Sequence, residues 1–106
     1  MATTEETIKQ QLASNPVILY MKGTPDAPQC GFSARAVTVL KNAQVAFATV
    51  DVLANPFIRE KLPQVSKWPT FPQLFVAGEL VGGSDIVAEM AKNGELLPLL
   101  TAALAP

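Results

Sequence analysis

Val17-Ile18-Leu19-Tyr20-Met21-Lys22-Gly23-Thr24-Pro25-Asp26-Ala27-Pro28-Gln29-Cys30-Gly31-Phe32-Ser33 decides the fold. The first five residues are a continuous apolar run that follows the breaker Asn15-Pro16. Such a run reads as a strand buried on both faces, as in a parallel sheet. Lys22 to Gln29 is punctuated by Gly23, Pro25 and Pro28 and reads as a loop. Beyond it, Ala36, Val39, Leu40 and Ala43 recur at helical spacing, which predicts a helix from Gly31 to Ala43. Cys30 therefore stands at the seam between loop and helix.

Outward from this unit the chain alternates. Thr3-x-x-Glu6 forms a candidate capping box for a first helix reaching Ser14, with Ile8 and Leu12 on one face. Val45 to Val52 alternates as a second strand. Asn55-Pro56 resembles an N-cap followed by proline at the first helical position, opening a helix that carries Ile58 and Leu62 and stops near Pro63. Trp68-Pro69-Thr70-Phe71-Pro72 is too rich in proline for a helix. Gln73 to Val76 reads as a strand, Gly78-Glu79 as a tight turn, and Leu80-Val81 as the return strand of a hairpin. Gly82-Gly83 precedes a helix from Ser84 to Lys92, and Asn93-Gly94 separates it from a Leu-rich last helix.

A strand–helix–strand unit implies a crossover and a parallel pair, and the hairpin adds an antiparallel one. The predicted fold class is α/β: a four-stranded mixed sheet flanked by helices on both faces, as one domain over residues 1–106. A cysteine after the first strand, opening the next helix, is a thioredoxin-like arrangement.

Composition limits the chemistry. The chain has 106 residues, 49% hydrophobic, with net charge −1, one cysteine and no histidine. Near-neutrality argues against nucleic acid as a partner, which would require a basic face. No apolar run approaches the roughly 20 residues of a membrane helix. Without histidine there is no Cys–His pair, and one thiol cannot assemble a zinc site. A lone cysteine cannot close a disulfide within its own chain, so any sulfur partner comes from outside. The acidic start, without a basic or apolar leader, and the single free thiol predict a cytoplasmic location. A free cysteine is more often an inert small hydrophobe. Cys30 departs from that because a helix N-terminus and nearby Lys22 both favour thiolate.

Lys22-Gly23, Pro28-x-Cys30-Gly31-Phe32-Ser33, Trp68-Pro69-Thr70-Phe71-Pro72-Gln73 and Gly82-Gly83-Ser84-Asp85 occur in order and at family-like spacing. Together they resemble the monothiol, CGFS-type glutaredoxins, in their short single-domain form, over essentially the whole chain. The resemblance implies a thioredoxin fold that binds glutathione. It implies that Lys22 and Arg59 pair with the glycine carboxylate, and that Phe71, next to Thr70 and before a cis Pro72, offers its backbone to the peptide's cysteine. Ser84 and Asp85 would receive the γ-glutamyl carboxylate and ammonium at a helix start. Gly31, Phe32 and Ser33 would frame the thiol, with a hydrogen bond from Ser33. Each residue also has a plainer reading: Lys22 as a solvated loop lysine, Arg59 as helix-surface charge, Phe71 and Trp68 as core, Asp85 as a cap. Ser33 also reads as an ordinary first-turn residue, Gly31 as relief of crowding and Phe32 as packing. In several relatives position 84 is cysteine; with Ser84 here, a disulfide to Cys30 cannot form.

Two activities share this pocket. A [2Fe–2S] cluster takes four thiolates. One Cys30 from each of two chains and two glutathione thiols would supply them, giving a cluster-bridged homodimer from an apo monomer. The resemblance implies cluster delivery to iron–sulfur acceptor proteins and iron homeostasis, with a BolA-type partner. The alternative is glutathione-dependent reduction of protein–glutathione mixed disulfides, with Cys30 as nucleophile. Thr24 to Pro28 is longer than the matching loop of dithiol glutaredoxins, a length that disfavours in-line attack by a second glutathione and ranks catalysis second. An adaptor domain with an idle thiol would leave the pocket unexplained.

Overall fold

A computed structural model describes residues 2–106. Helix α1 (Thr4–Ser14) begins at the expected capping box: the Thr3 hydroxyl accepts the Glu6 N–H at 3.1 Å, and the Glu6 carboxylate returns to the Thr3 N–H. Strand β1 (Val17–Met21) follows, buried at every position. A short hairpin of β2 (Gly23–Thr24) and β3 (Ala27–Pro28) leads to α2 (Gly31–Asn42). Then come β4 (Ala48–Asp51), α3 (Pro56–Ser66), β5 (Gln73–Val76), β6 (Glu79–Gly82), α4 (Ser84–Lys92) and α5 (Leu96–Leu104). The main sheet has the order β4-β1-β5-β6. β1 pairs parallel with β4 and antiparallel with β5, and β5 pairs antiparallel with β6. The predicted fold class, a thioredoxin fold with a four-stranded mixed sheet, is the fold observed.

Strand alternation divides the core into two layers. Val17, Leu19 and Met21 face Ala36, Val37 and Leu40 of α2, Val87 of α4, and Leu96 and Leu100 of α5. Ile18 and Tyr20 face Ile8 of α1 and Ile58 and Leu62 of α3. Burying a Leu or Ile side chain contributes roughly 1.5–3 kcal/mol, so these two layers are what hold the helices to the sheet.

Four local expectations need correction. The segment after β1 is a closed hairpin rather than an open loop, tied by the Gln29 N–H to the Lys22 carbonyl at 2.9 Å. The second strand is shorter than Val45–Val52, because Val45 and Phe47 pack onto the core from outside the sheet. Helix α3 does not stop at Pro63 but continues to Ser66. Proline there removes one N–H donor. The helix tolerates the loss because Arg59, whose carbonyl loses its partner, is exposed, while Leu62 stays buried. The hairpin turn falls on Ala77-Gly78, both at positive φ, rather than on Gly78-Glu79.

Candidate functional site

Cys30 is the N-cap of α2 in extended conformation. Its carbonyl accepts the Ala34 N–H at 2.9 Å, the first bond of the helix. The Phe32 and Ser33 amides are therefore left facing the cap, where the sulfur lies. The Cys30 thiol is held below its ordinary pKa, first by the Ser33 backbone N–H, then by the Phe32 N–H and the Ser33 hydroxyl. Partial burial opposes them, and the Lys22 charge contributes least. The direction is the one expected from sequence; the helix end, rather than Lys22, carries it.

Ser33 has a role beyond first-turn packing. It is fully buried, and its hydroxyl accepts the Lys22 N–H at 3.0 Å. That bond fastens the end of β1 to the first turn of α2, and the hydroxyl proton stays available to the sulfur. Asp51, at the end of β4, supports the same corner: its Oδ1 accepts the Gly23 N–H and the Leu53 N–H, both at 2.9 Å. Gly23 lies at φ +89, and a Cβ there would come within 2.6 Å of the Ala27 carbonyl oxygen. Only glycine fits this turn.

A second wall is the segment from Trp68 to Pro72, with the Phe71–Pro72 peptide cis. Among the described residues, the Phe71 N–H and C=O make no hydrogen bond within the chain. Backbone groups of this kind form an open edge that an extended peptide can extend as an added strand. The third wall is the start of α4. Gly83, its N-cap, has no side chain to bond the first-turn amides, so those at Ser84 and Asp85 are open. Ser84 is buried, whereas the Asp85 side chain is 82% exposed and bonded to Arg35 Nη1 at 2.8 Å.

The three walls enclose a cavity of about 570 Å³. Lys22, Cys30, Phe32, Arg59, Thr70, Phe71, Pro72, Ser84 and Asp85 all line it, as the sequence reading grouped them. Ser33 lies behind the wall. Gly31 is outside it, and a Cβ there would meet nothing within 4 Å, so the fold shows no crowding for glycine to relieve. The cavity also takes in Pro63, Trp68, Pro69, Gly83 and Ile86, which were not singled out as site residues. Trp68, Pro69 and Gly83 lay inside motifs already noted. Arg35, the partner of Asp85, had no signal, since it meets α4 only through packing of α2 on α4.

The pocket lining brings together the cations of Lys22 and Arg59 with the open helix amides and the carboxylate at the start of α4. The same lining includes the free peptide edge at Phe71 and one thiol. Among the described residues, no three His, Cys, Asp or Glu side chains lie together as a metal site. Cys30 offers a single sulfur ligand at the rim.

The family model described as Glutaredoxin matches residues 17–81. A probable monothiol glutaredoxin, GrlA of Legionella pneumophila, is 66% identical over 88 residues, covering 83% of this chain and 99% of the relative. Glutaredoxin 4 of Escherichia coli is 58% identical over 100 residues, covering 94% of this chain and 87% of the relative. Among solved structures, reduced apo GrxS14 of poplar superposes with a TM-score of 0.83 at 43% identity, covering 96% of this chain and 94% of that one. A buckwheat glutaredoxin–glutathione complex gives 0.84 at 26% identity, covering 96% and 91%.

Proposed function

Because the chain belongs to the glutaredoxin family, in its monothiol branch, we propose that it binds glutathione in the cavity beside Cys30 and carries a [2Fe–2S] cluster as cargo between two copies of itself. The observation that supports the glutathione reading is the match of pocket to peptide. Lys22 and Arg59 suit the glycine carboxylate, the unpaired Phe71 edge suits the cysteine backbone, and the start of α4 with Asp85 suits the γ-glutamyl head. A glutaredoxin solved with glutathione has the same fold.

Cluster carriage rests on counting donors. One thiolate-prone sulfur per chain, with no histidine, leaves a cluster incomplete unless two chains and two glutathione thiols each contribute. The half-buried Cys30, with Phe32 60% exposed beside it, leaves the sulfur reachable by a second chain. Delivery to acceptor proteins, alone or with a BolA-type partner, and a cytoplasmic setting rich in glutathione complete the reading. The test is anaerobic reconstitution with iron, sulfide and glutathione. Visible absorption should appear with a shift from monomer to dimer, and iron, sulfide, glutathione and chains should be found in equal numbers. A stable cluster formed without any added thiol overturns the proposal.

The lowered Cys30 pKa favours a second reading, thiol–disulfide exchange on protein–glutathione mixed disulfides. Turnover comparable to that of a dithiol glutaredoxin would place it first.

A further inference from the structure

We infer that Gln73 is a positioning residue for the peptide-binding edge at Phe71, an inference that rests on the glutathione reading above. Gln73 is the first residue of β5 and is fully buried, paired across to Tyr20 on the central strand. Its Nε2 donates to the Trp68 carbonyl at 2.9 Å and to the Thr70 carbonyl at 3.1 Å. Two carbonyl acceptors fix the orientation of the amide, because only the NH2 side can serve both. The carboxamide oxygen is then left buried without a partner among the described residues. A buried acceptor with no donor is destabilising, and one retained in a core calls for a reason.

The geometry gives one. The two Gln73 bonds take the Trp68 and Thr70 carbonyls ahead of Phe71, holding both to the start of the strand. Among the described residues, Phe71 keeps both its N–H and its C=O free, on the cavity wall. Without the tether, the Trp68 and Thr70 carbonyls would compete for the same donors from solvent or ligand, and Phe71 would have no fixed register against a peptide. Gln73 does not itself line the cavity. It acts through the loop, at the cost of its own unpaired oxygen.

Gln73→Met keeps the length of the side chain and removes both donors. Glutathione affinity, measured by calorimetry on the full chain, should fall roughly fivefold to tenfold, the value of about one well-placed hydrogen bond. The pH profile of Cys30 alkylation should stay that of wild type, since α2 sets the thiol. Glutathione methylated on its cysteine amide nitrogen cannot donate to the Phe71 carbonyl, so its binding should be weakened less by the same substitution. Undiminished glutathione affinity, equal losses for both ligands, or an affinity loss accompanied by a shifted alkylation profile would overturn the inference. Failure of wild type to bind glutathione would remove the functional reading first and this inference with it. In wild type, both Gln73 side-chain amide protons should exchange slowly with solvent. Exchange at the rate of a surface glutamine would also overturn it, whether or not the variant folds.

Discussion

Replacing Gly23 by alanine puts a methyl group 2.6 Å from the Ala27 carbonyl oxygen and 2.7 Å from the Gln29 nitrogen, at a backbone φ of +89. The left-handed backbone alone costs an L-residue about 1–2 kcal/mol. Both close atoms belong to the main chain, so the β2–β3 hairpin must open to relieve the contact. Opening it gives up the Gln29-to-Lys22 bond, a further loss of about 1 kcal/mol. We expect a total of about 3 kcal/mol, which in a domain of this size lowers the melting temperature by roughly 10–20 °C. Gly78→Ala is the internal control. That residue has φ +80 but nothing within 4 Å of the added carbon, so it should show the backbone part alone, about 1 kcal/mol. Urea unfolding of both variants gives the difference directly. The hairpin also sets Lys22 relative to Cys30, so glutathione affinity should fall in Gly23→Ala and hold in Gly78→Ala. Equal destabilisation of the two, or unaltered affinity in Gly23→Ala, would refute the claim that this turn is sterically closed and that it places the site.

Three further outcomes follow from the site. The pH midpoint of Cys30 alkylation should lie below that of a free thiol, and Ser33→Ala should raise it more than Lys22→Gln, because the hydroxyl outweighs the lysine charge at the sulfur. Lys22→Gln should instead act on the ligand, weakening glutathione binding about fivefold, as expected for one partly screened ion pair; equal effects of both variants on the thiol would contradict the order of causes. Folding lowers the Cys30 pKa, so the thiolate adds stability above the unfolded thiol's pKa and loses it as pH falls through the folded value. The stability of wild type relative to Cys30→Ala, followed by urea unfolding from about pH 5 to pH 10, should therefore rise with pH, and a flat difference would count against thiolate stabilisation.

What was legible in the sequence was local. The apolar run of β1, the Thr3–Glu6 box and the cysteine at a helix start all depend on neighbours within a few residues, and all stand as read. The four site segments could be grouped only through their resemblance to the monothiol glutaredoxins, because no local pattern joins stretches so far apart in the chain. What escaped depends on how distant elements pack. The bond between Arg35 and Asp85 joins positions fifty apart and exists only because α2 meets α4. Pro63 looked like a helix stop, but burial of Leu62 beside it holds α3 together for another turn. Gln73 looked like a strand residue with a polar side chain; its task became visible only once the loop was seen folding back over it.

The placement of β1 at the interior of the sheet has a consequence for timescale. A strand with partners on both sides and apolar layers above and below opens only when most of the domain does, so its amides should exchange at rates set by global unfolding. Lys22 and the Cys30 corner hang directly from its end and inherit that slowness. The stretch from Lys67 to Pro72 and the first turn of α4 have no such anchor across two strands, Gln73 apart. For a peptide bound as proposed, one wall would open only with global unfolding, whereas the other two, held by local bonds such as the Gln73 tether, would open on their own. The rate at which it is captured and let go should follow the faster local motions of those two walls rather than any motion of the thiol.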